Sequence, residues 1–106
     1  MARSTAGSGT RLGGPRPFNG KTIEQLPNDR PALYVLERSG KPLYAGVAQR
    51  GRLQERLKEH LDAGDVRGAT RVRVRAMPSI DEARQAEEQF IKREKPPGNE
   101  QHNPDR

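Results

Sequence analysis

The 106-residue chain contains no cysteine. Disulfide frameworks, thiolate zinc sites and cysteine nucleophiles are therefore excluded, and any metal must be held by oxygen or imidazole. Nor is there an apolar run of the roughly 18 residues that mark a membrane-spanning helix. Trp- or Phe-rich amphipathic helices are missing, and the N-terminus lacks the apolar segment of a secretory signal. Together these absences lead to the expectation of a soluble, cytoplasmic protein with no membrane partner. Acidic residues are absent from Met1 to Gly20, a stretch that holds five glycines, Pro15 and Pro17, and Arg3, Arg11 and Arg16. With almost nothing apolar to anchor its backbone, the segment 1–22 is expected to be a disordered basic arm.

What remains is enough for one domain: 30% of the residues are hydrophobic and 32% charged. A net charge of +6 points to an anionic partner, because Lys and Arg neutralise phosphates and release condensed counterions. Nucleic acid fits that balance better than a membrane surface.

Ile23-Glu24-Gln25-Leu26 reads as a helical turn ended by Pro27 and the turn-forming pair Asn28-Asp29, and the ordered domain is expected from residue 23 to 99. Ala32–Leu36 and Pro42–Val47 are β-prone runs around Arg38-Ser39-Gly40-Lys41, which predicts a hairpin. If paired residue numbers sum to about 78, Tyr34 faces Tyr44 directly. Leu53, Leu57 and Leu61 then recur at helical spacing, with Gly64 placed as the stop. Arg52, Arg56 and His60 share that spacing one position back, on a neighbouring stripe. Arg71-Val72-Arg73-Val74-Arg75 alternates as a strand, with the valines expected inward and the arginines toward solvent or a ligand.

Ser79 followed by Glu82 is a capping box, and a helix is predicted from Ile80 to Glu94, ended by Pro96-Pro97-Gly98. Its apolar stripe runs through Ile80, Ala83, Ala86, Phe90 and Ile91, and Glu87 falls into it. An unpaired buried carboxylate costs several kcal/mol, so Glu87 requires a partner or a metal. On pattern alone an ion pair with an arginine is the better reading. Likewise, each tyrosine taken singly reads as packing, and His60 as a surface histidine.

Taken in order, Ala32-Leu33-Tyr34, Tyr44-Ala45-Gly46, Arg56-Leu57-Lys58-Glu59-His60, Glu87, and Lys95-Pro96 with Asn99 resemble the GIY-YIG nuclease domain over about Ala32 to Asn99. That superfamily includes the N-terminal nuclease domain of the UvrC subunit of bacterial excision repair, phage homing endonucleases and small stand-alone bacterial proteins. The resemblance implies an α+β fold with a three-stranded antiparallel sheet flanked by helices, followed here by a flexible tail over 100–106. It also implies a catalytic set of Tyr34, Tyr44, Gly46, Arg56, His60, Glu87 and Asn99. Ala32 stands where the family often has glycine, and Ala45 replaces a larger apolar residue; neither change removes a chemical group. The spacing from Tyr44 to Arg56 is about two residues longer than in the UvrC-like pattern, which leaves Arg52 as the alternative arginine.

Hydrolysis of a phosphodiester needs an activated water, charge stabilisation and help for the leaving oxygen. The resemblance implies Glu87 as the ligand of one Mg²⁺ or Mn²⁺, with waters and the phosphate completing the shell. Tyr44 or Tyr34 would take the proton from water. Since free tyrosine ionises near pH 10, nearby cations must lower that value or His60 must relay the proton. Arg56 would brace the phosphate and Asn99 would orient a phosphate oxygen or close the site. Arg50, Arg52, Lys58, Arg71, Arg73, Arg75, Lys92 and Lys95 are expected to contact nucleic acid, with DNA the expected substrate and repair or processing the expected setting. Specificity would be low or supplied by a partner protein. The alternative is a non-catalytic nucleic-acid-binding protein that keeps the fold and basic surface; an effector or toxin nuclease would share the chemistry and differ in role.

Overall fold

The computed structural model describes residues 12–102, with side chains described up to Asn99. The expected arm residues 1–11 and tail residues 103–106 lie outside the described residues.

The hairpin forms as the sequence predicts, from β2 (Ala32–Arg38) and β3 (Lys41–Ala48). Its two-residue turn places Ser39 at φ 51 and Gly40 at φ 80. Two consecutive left-handed residues give the turn whose twist matches that of the strands. The register differs from the expected one: Tyr34 pairs with Gly46 and Leu36 with Tyr44, with an irregularity between Leu36 and Glu37. The shift is two residues, so both tyrosines keep the same face and become diagonal neighbours.

A further strand, β4 (Arg71–Ala76), runs antiparallel along the other side of β2, setting Val74 beside Tyr34 and Val72 beside Leu36. The sheet has four strands rather than three, in the order β1-β4-β2-β3. The additional β1 is only Arg16–Pro17, paired to Val72 and Arg71. Two residues flanked by glycine and proline carry no alternation to read. Tertiary contacts hold them: Gly13 N–H donates to the Val74 carbonyl at 2.9 Å, Phe18 N–H to that of Thr70 at 3.0 Å, and the Phe18 ring packs on the core. Thus residues 12–22, expected within the arm, line the β4 edge and begin α1 (Gly20–Gln25), capped by the Asn19 side chain.

One sheet face, carrying Tyr34, Leu36 and Val72, packs on Ile23 and Leu26 around α1 and on Leu53 and Leu57 of α2 (Leu53–Ala63). Gly64 at φ 62 ends α2 where the sequence places the stop. The other face, carrying Leu33, Val35 and Ala45, packs on Phe90 of α3 (Ile80–Glu94), whose Ser79 cap accepts from the Glu82 N–H at 3.2 Å. After α3 the prolines do more than stop a helix. Pro97, whose missing N–H is no loss at a first helical position, opens α4 (Pro97–His102), which docks on β3. No helix among the described residues is long and apolar enough to cross a membrane.

Candidate active site

Two neighbouring strands, two helices and the loop after α2 meet at one cleft of about 380 Å³, lined by Tyr34, Tyr44, Gly46, Val47, Arg56, Glu59, His60, Asp65 and Glu87. Strand alternation aims Tyr34, Tyr44 and Gly46 to one side; helix α2 brings Arg56 and His60 over them. Val47 from the opposite face and Glu87 from α3 complete it, so the cleft lies along the β3 side of the sheet, where both helical layers reach it.

Gly46 is required by contact. A Cβ there would stand 2.6 Å from the Tyr34 hydroxyl and 2.7 Å from its Cζ, so the phenol lies directly on the glycine backbone. The Tyr34 ring is 2% exposed, and its centroid is 6.3 Å from that of Tyr44. His60 lies against both rings, 5.7 Å from Tyr34 and 4.9 Å from Tyr44 between centroids. Its Nε2 is 2.9 Å from the Tyr34 hydroxyl and its Nδ1 is 3.0 Å from Asp65 Oδ1.

Burial raises the pKa of both phenols above the ordinary tyrosine value. For Tyr34 the neighbouring Tyr44 adds to that rise, and for Tyr44 the Glu87 charge does; Arg56 opposes the rise in both. The expectation that surrounding cations lower the tyrosine values is therefore not met by this cleft, because one half-exposed guanidinium is outweighed by desolvation.

Asn99 occupies a different role from the one implied. It is 4% exposed, and its Oδ1 accepts from Ala45 N–H while its Nδ2 donates to the Ala45 carbonyl, both at 2.8 Å. It braces the strand between Tyr44 and Gly46 rather than facing the cleft lining. Gly98 permits this approach, since a Cβ there would stand 2.7 Å from the Leu43 carbonyl oxygen.

The cationic residues divide into two groups. Arg56, loosely paired with Glu59 at 3.8 Å, lines the tyrosine cleft. Arg52 is tied to Glu55 at 2.6 Å and lines an adjoining hollow with Arg56 and Arg84. Geometry thus favours Arg56 over Arg52 for the arginine nearest the tyrosines, and it adds Arg84, which the helical pattern places on the polar side. Arg50, Lys58, Lys92 and Lys95 are exposed. In contrast, Arg71, Arg73 and Arg75 stand opposite Glu37, Val35 and Leu33, on the sheet face away from the tyrosines. Arg73 donates to the Gly13 carbonyl at 2.8 Å and lies 3.7 Å from the buried Glu37. Arg73 and Arg75 border a groove of about 760 Å³ beside α3. Alternation revealed that these arginines share a face; it could not tell which helix covers that face. Asp65 was not legible either, being a loop residue outside any periodic element.

Among the described residues no group of three or more His, Cys, Asp or Glu side chains is arranged to hold a metal. Glu87 offers a hard oxygen donor within a cleft of phenols and an arginine. That donor set fits a Mg²⁺-type ion which keeps most of its waters, and does not fit a thiolate or multi-histidine centre.

This architecture is that of a GIY-YIG nuclease domain. Over 74% of its length the chain matches 96% of the crystal structure of the GIY-YIG N-terminal endonuclease domain of UvrC from Thermotoga maritima bound to magnesium, with 25% identity and a TM-score of 0.62. Two point-mutant forms of the same domain, each bound to its catalytic divalent cation, match with the same TM-score of 0.62 at 25% and 24% identity. No protein-family model matches the chain, and no curated protein does. The chain thus shares the fold of the GIY-YIG nuclease domains, and the UvrC N-terminal domain is a structural relative.

Proposed function

We propose that this protein is a metal-dependent endonuclease that hydrolyses nucleic-acid phosphodiester bonds, with DNA as its substrate. The observation that carries the reading is the convergence of Glu87 with Tyr34, Tyr44, Arg56 and His60 on one cleft, although they come from four separate elements. The similarity to a UvrC domain bound to magnesium supports it.

Glu87 would hold one Mg²⁺ or Mn²⁺, which would supply a Lewis acid for the phosphate and make a water easier to deprotonate. The protein residues do the rest. Arg56 presents a planar fork of donors to the phosphate as its negative charge grows. Tyr44, half-buried at the cleft mouth, orients the incoming water, while Tyr34 connects that water to His60. Asn99 keeps the Tyr44–Gly46 strand in place. Arg52 and Arg84, which line the adjoining hollow with Arg56, extend a cationic surface from the cleft along which the nucleic-acid backbone can run. Arg71, Arg73 and Arg75 serve the opposite face and are not part of this path.

The test is cleavage of supercoiled, linear, single-stranded and branched DNA, and of RNA, with Mg²⁺, Mn²⁺ or EDTA, alongside Glu87→Ala. Cutting only with metal, lost in Glu87→Ala while binding persists, supports the reading. Metal-independent cutting, or equal cutting by the variant, refutes it. Binding without cutting by the native chain would instead favour the non-catalytic nucleic-acid-binding alternative.

A further inference from the structure

Both ring nitrogens of His60 are engaged, and its second partner belongs to none of the motif positions. Its Nδ1 lies 3.0 Å from Asp65 Oδ1 and 3.3 Å from Oδ2, while its Nε2 lies 2.9 Å from the Tyr34 hydroxyl. The imidazole side chain is 12% exposed and the Asp65 side chain 38%. An ionised carboxylate can only accept hydrogen bonds, so the imidazole nitrogen facing it must carry a proton. In a neutral imidazole the other nitrogen is then bare and can only accept. The Tyr34 hydroxyl has one proton to donate and two partners, His60 Nε2 and the Tyr44 hydroxyl. The bare Nε2 can only accept whereas the Tyr44 hydroxyl can donate, so the Tyr34 proton goes to Nε2.

We propose that Asp65 is a positioning residue of this cleft: it holds neutral His60 in the Nδ1–H form, so that Nε2 stands ready to take the Tyr34 proton. The inference rests on the nuclease reading only for its consequence. In that setting the water oxygen bonds to phosphorus as the leaving oxygen departs with the electron pair of its bond. The water proton passes to the Tyr34 oxygen as the Tyr34 proton passes to His60 Nε2. Asp65 then faces the imidazolium it helped to form, and the leaving oxygen is protonated from solvent.

The geometry gives Asp65 a reason to stand where it does. Gly64 ends α2 in the left-handed conformation and turns the chain back, so the next residue, Asp65, returns toward His60, the residue one turn before that glycine. The carboxylate sits on the outer, wetter side of the ring and Tyr34 on the inner, dry side. A proton accepted at Nε2 therefore enters from the buried side, and the balancing charge is already placed on the far side.

The experiment reads the tautomer directly. Long-range ¹H–¹⁵N correlation spectra of the metal-free chain are recorded at about pH 8.5, above the ordinary histidine range. His60→Gln assigns the signals, because His102 is the other of two histidines. The native chain should show His60 protonated at Nδ1 and bare at Nε2. Asp65→Asn, whose amide can donate to Nδ1, should shift His60 toward the Nε2–H form, in which it no longer accepts from Tyr34. With Mg²⁺ and plasmid DNA, Asp65→Asn should lower kcat at least tenfold with KM little changed. Asp65→Glu should restore part of that loss, and Asp65→Asn should cost nothing further in a His60→Gln background. A native His60 in the Nε2–H form, or an Asp65→Asn variant that leaves either tautomer or kcat unmoved, overturns the proposal. A native chain that does not cut DNA at all overturns the nuclease reading instead, and the tautomer spectra then decide the role of Asp65 alone.

Discussion

Gly46→Ala is the most demanding test of how the cleft is built, because the added methyl carbon meets a rigid ring. Its Cβ would lie 2.6 Å from the Tyr34 hydroxyl oxygen, 2.7 Å from Cζ and 3.1 Å from Cε1. Ordinary carbon contacts need about 3.5 Å or more, so the ring must retreat by roughly 1 Å. It cannot slide within its plane without changing the 2.9 Å separation from His60 Nε2. Overpacking of this kind costs about 1–3 kcal/mol of stability, and a catalytic group displaced by about 1 Å loses roughly 10²-fold in rate. Chemical denaturation should therefore show a midpoint shift equivalent to about 2 kcal/mol with unchanged slope, and single-turnover DNA cleavage should fall about a hundredfold. Adding Tyr34→Phe removes the hydroxyl clash but leaves the Cζ contact, so the double variant should regain part of the stability and none of the activity. A Gly46→Ala protein within twofold of native cleavage and within about 0.5 kcal/mol of native stability would refute the idea that the glycine exists to seat Tyr34.

Asn99→Ala removes both hydrogen bonds to Ala45 and leaves two buried backbone groups unsatisfied, which should cost about 2–4 kcal/mol in denaturant unfolding. Because burial raises both phenols, the unfolded chain ionises its tyrosines first. Their contribution to stability is complete below about pH 10, the unfolded value, and is lost as pH rises above it. Alkaline unfolding of the metal-free protein should accordingly be less steep in Tyr34→Phe, as followed by circular dichroism. Ser79→Ala should cost about 1 kcal/mol through loss of the cap on the helix that carries Glu87. Removal of residues 1–11, which include Arg3 and Arg11, should reduce the log–log salt slope of DNA binding by at most about 1.8. A cut at residue 18 would also remove β1, so it would test folding as well as binding.

The elements with strong local signals were legible. The capping box and apolar stripe placed α3 at its observed limits, the Gly64 stop placed the end of α2, and the alternation of Arg71 to Arg75 placed β4. What the sequence did not carry was information held only in tertiary contacts. Strand β1 has no hydrophobic period and exists because β4 offers an edge. The hairpin register moved by two residues, one from the turn centred on Ser39-Gly40 and one from the irregularity between Leu36 and Glu37, and side-chain alternation is blind to an even shift. The arginines of β4 were recognised as sharing one face, but the choice of face depends on which helix packs where. At the candidate site, Tyr34, Tyr44, Gly46, Arg56, His60 and Glu87 do gather in one cleft, whereas Asn99 turns out to hold the strand behind it. Asp65 and Arg84 had no pattern to announce them and emerge only from proximity.

The placement of Asn99 has one more consequence. Strand β3 is the outermost of the sheet on its side, and the peptide groups of such a strand point outward as a template for any other extended chain. At Ala45 the asparagine side chain presents one acceptor and one donor to the outward N–H and C=O, as a neighbouring strand would. A single amide thus imitates one residue of a fifth strand and closes the border of the sheet beside the cleft. Protein lacking that amide should self-associate through β3, and light scattering at rising concentration would register the growth.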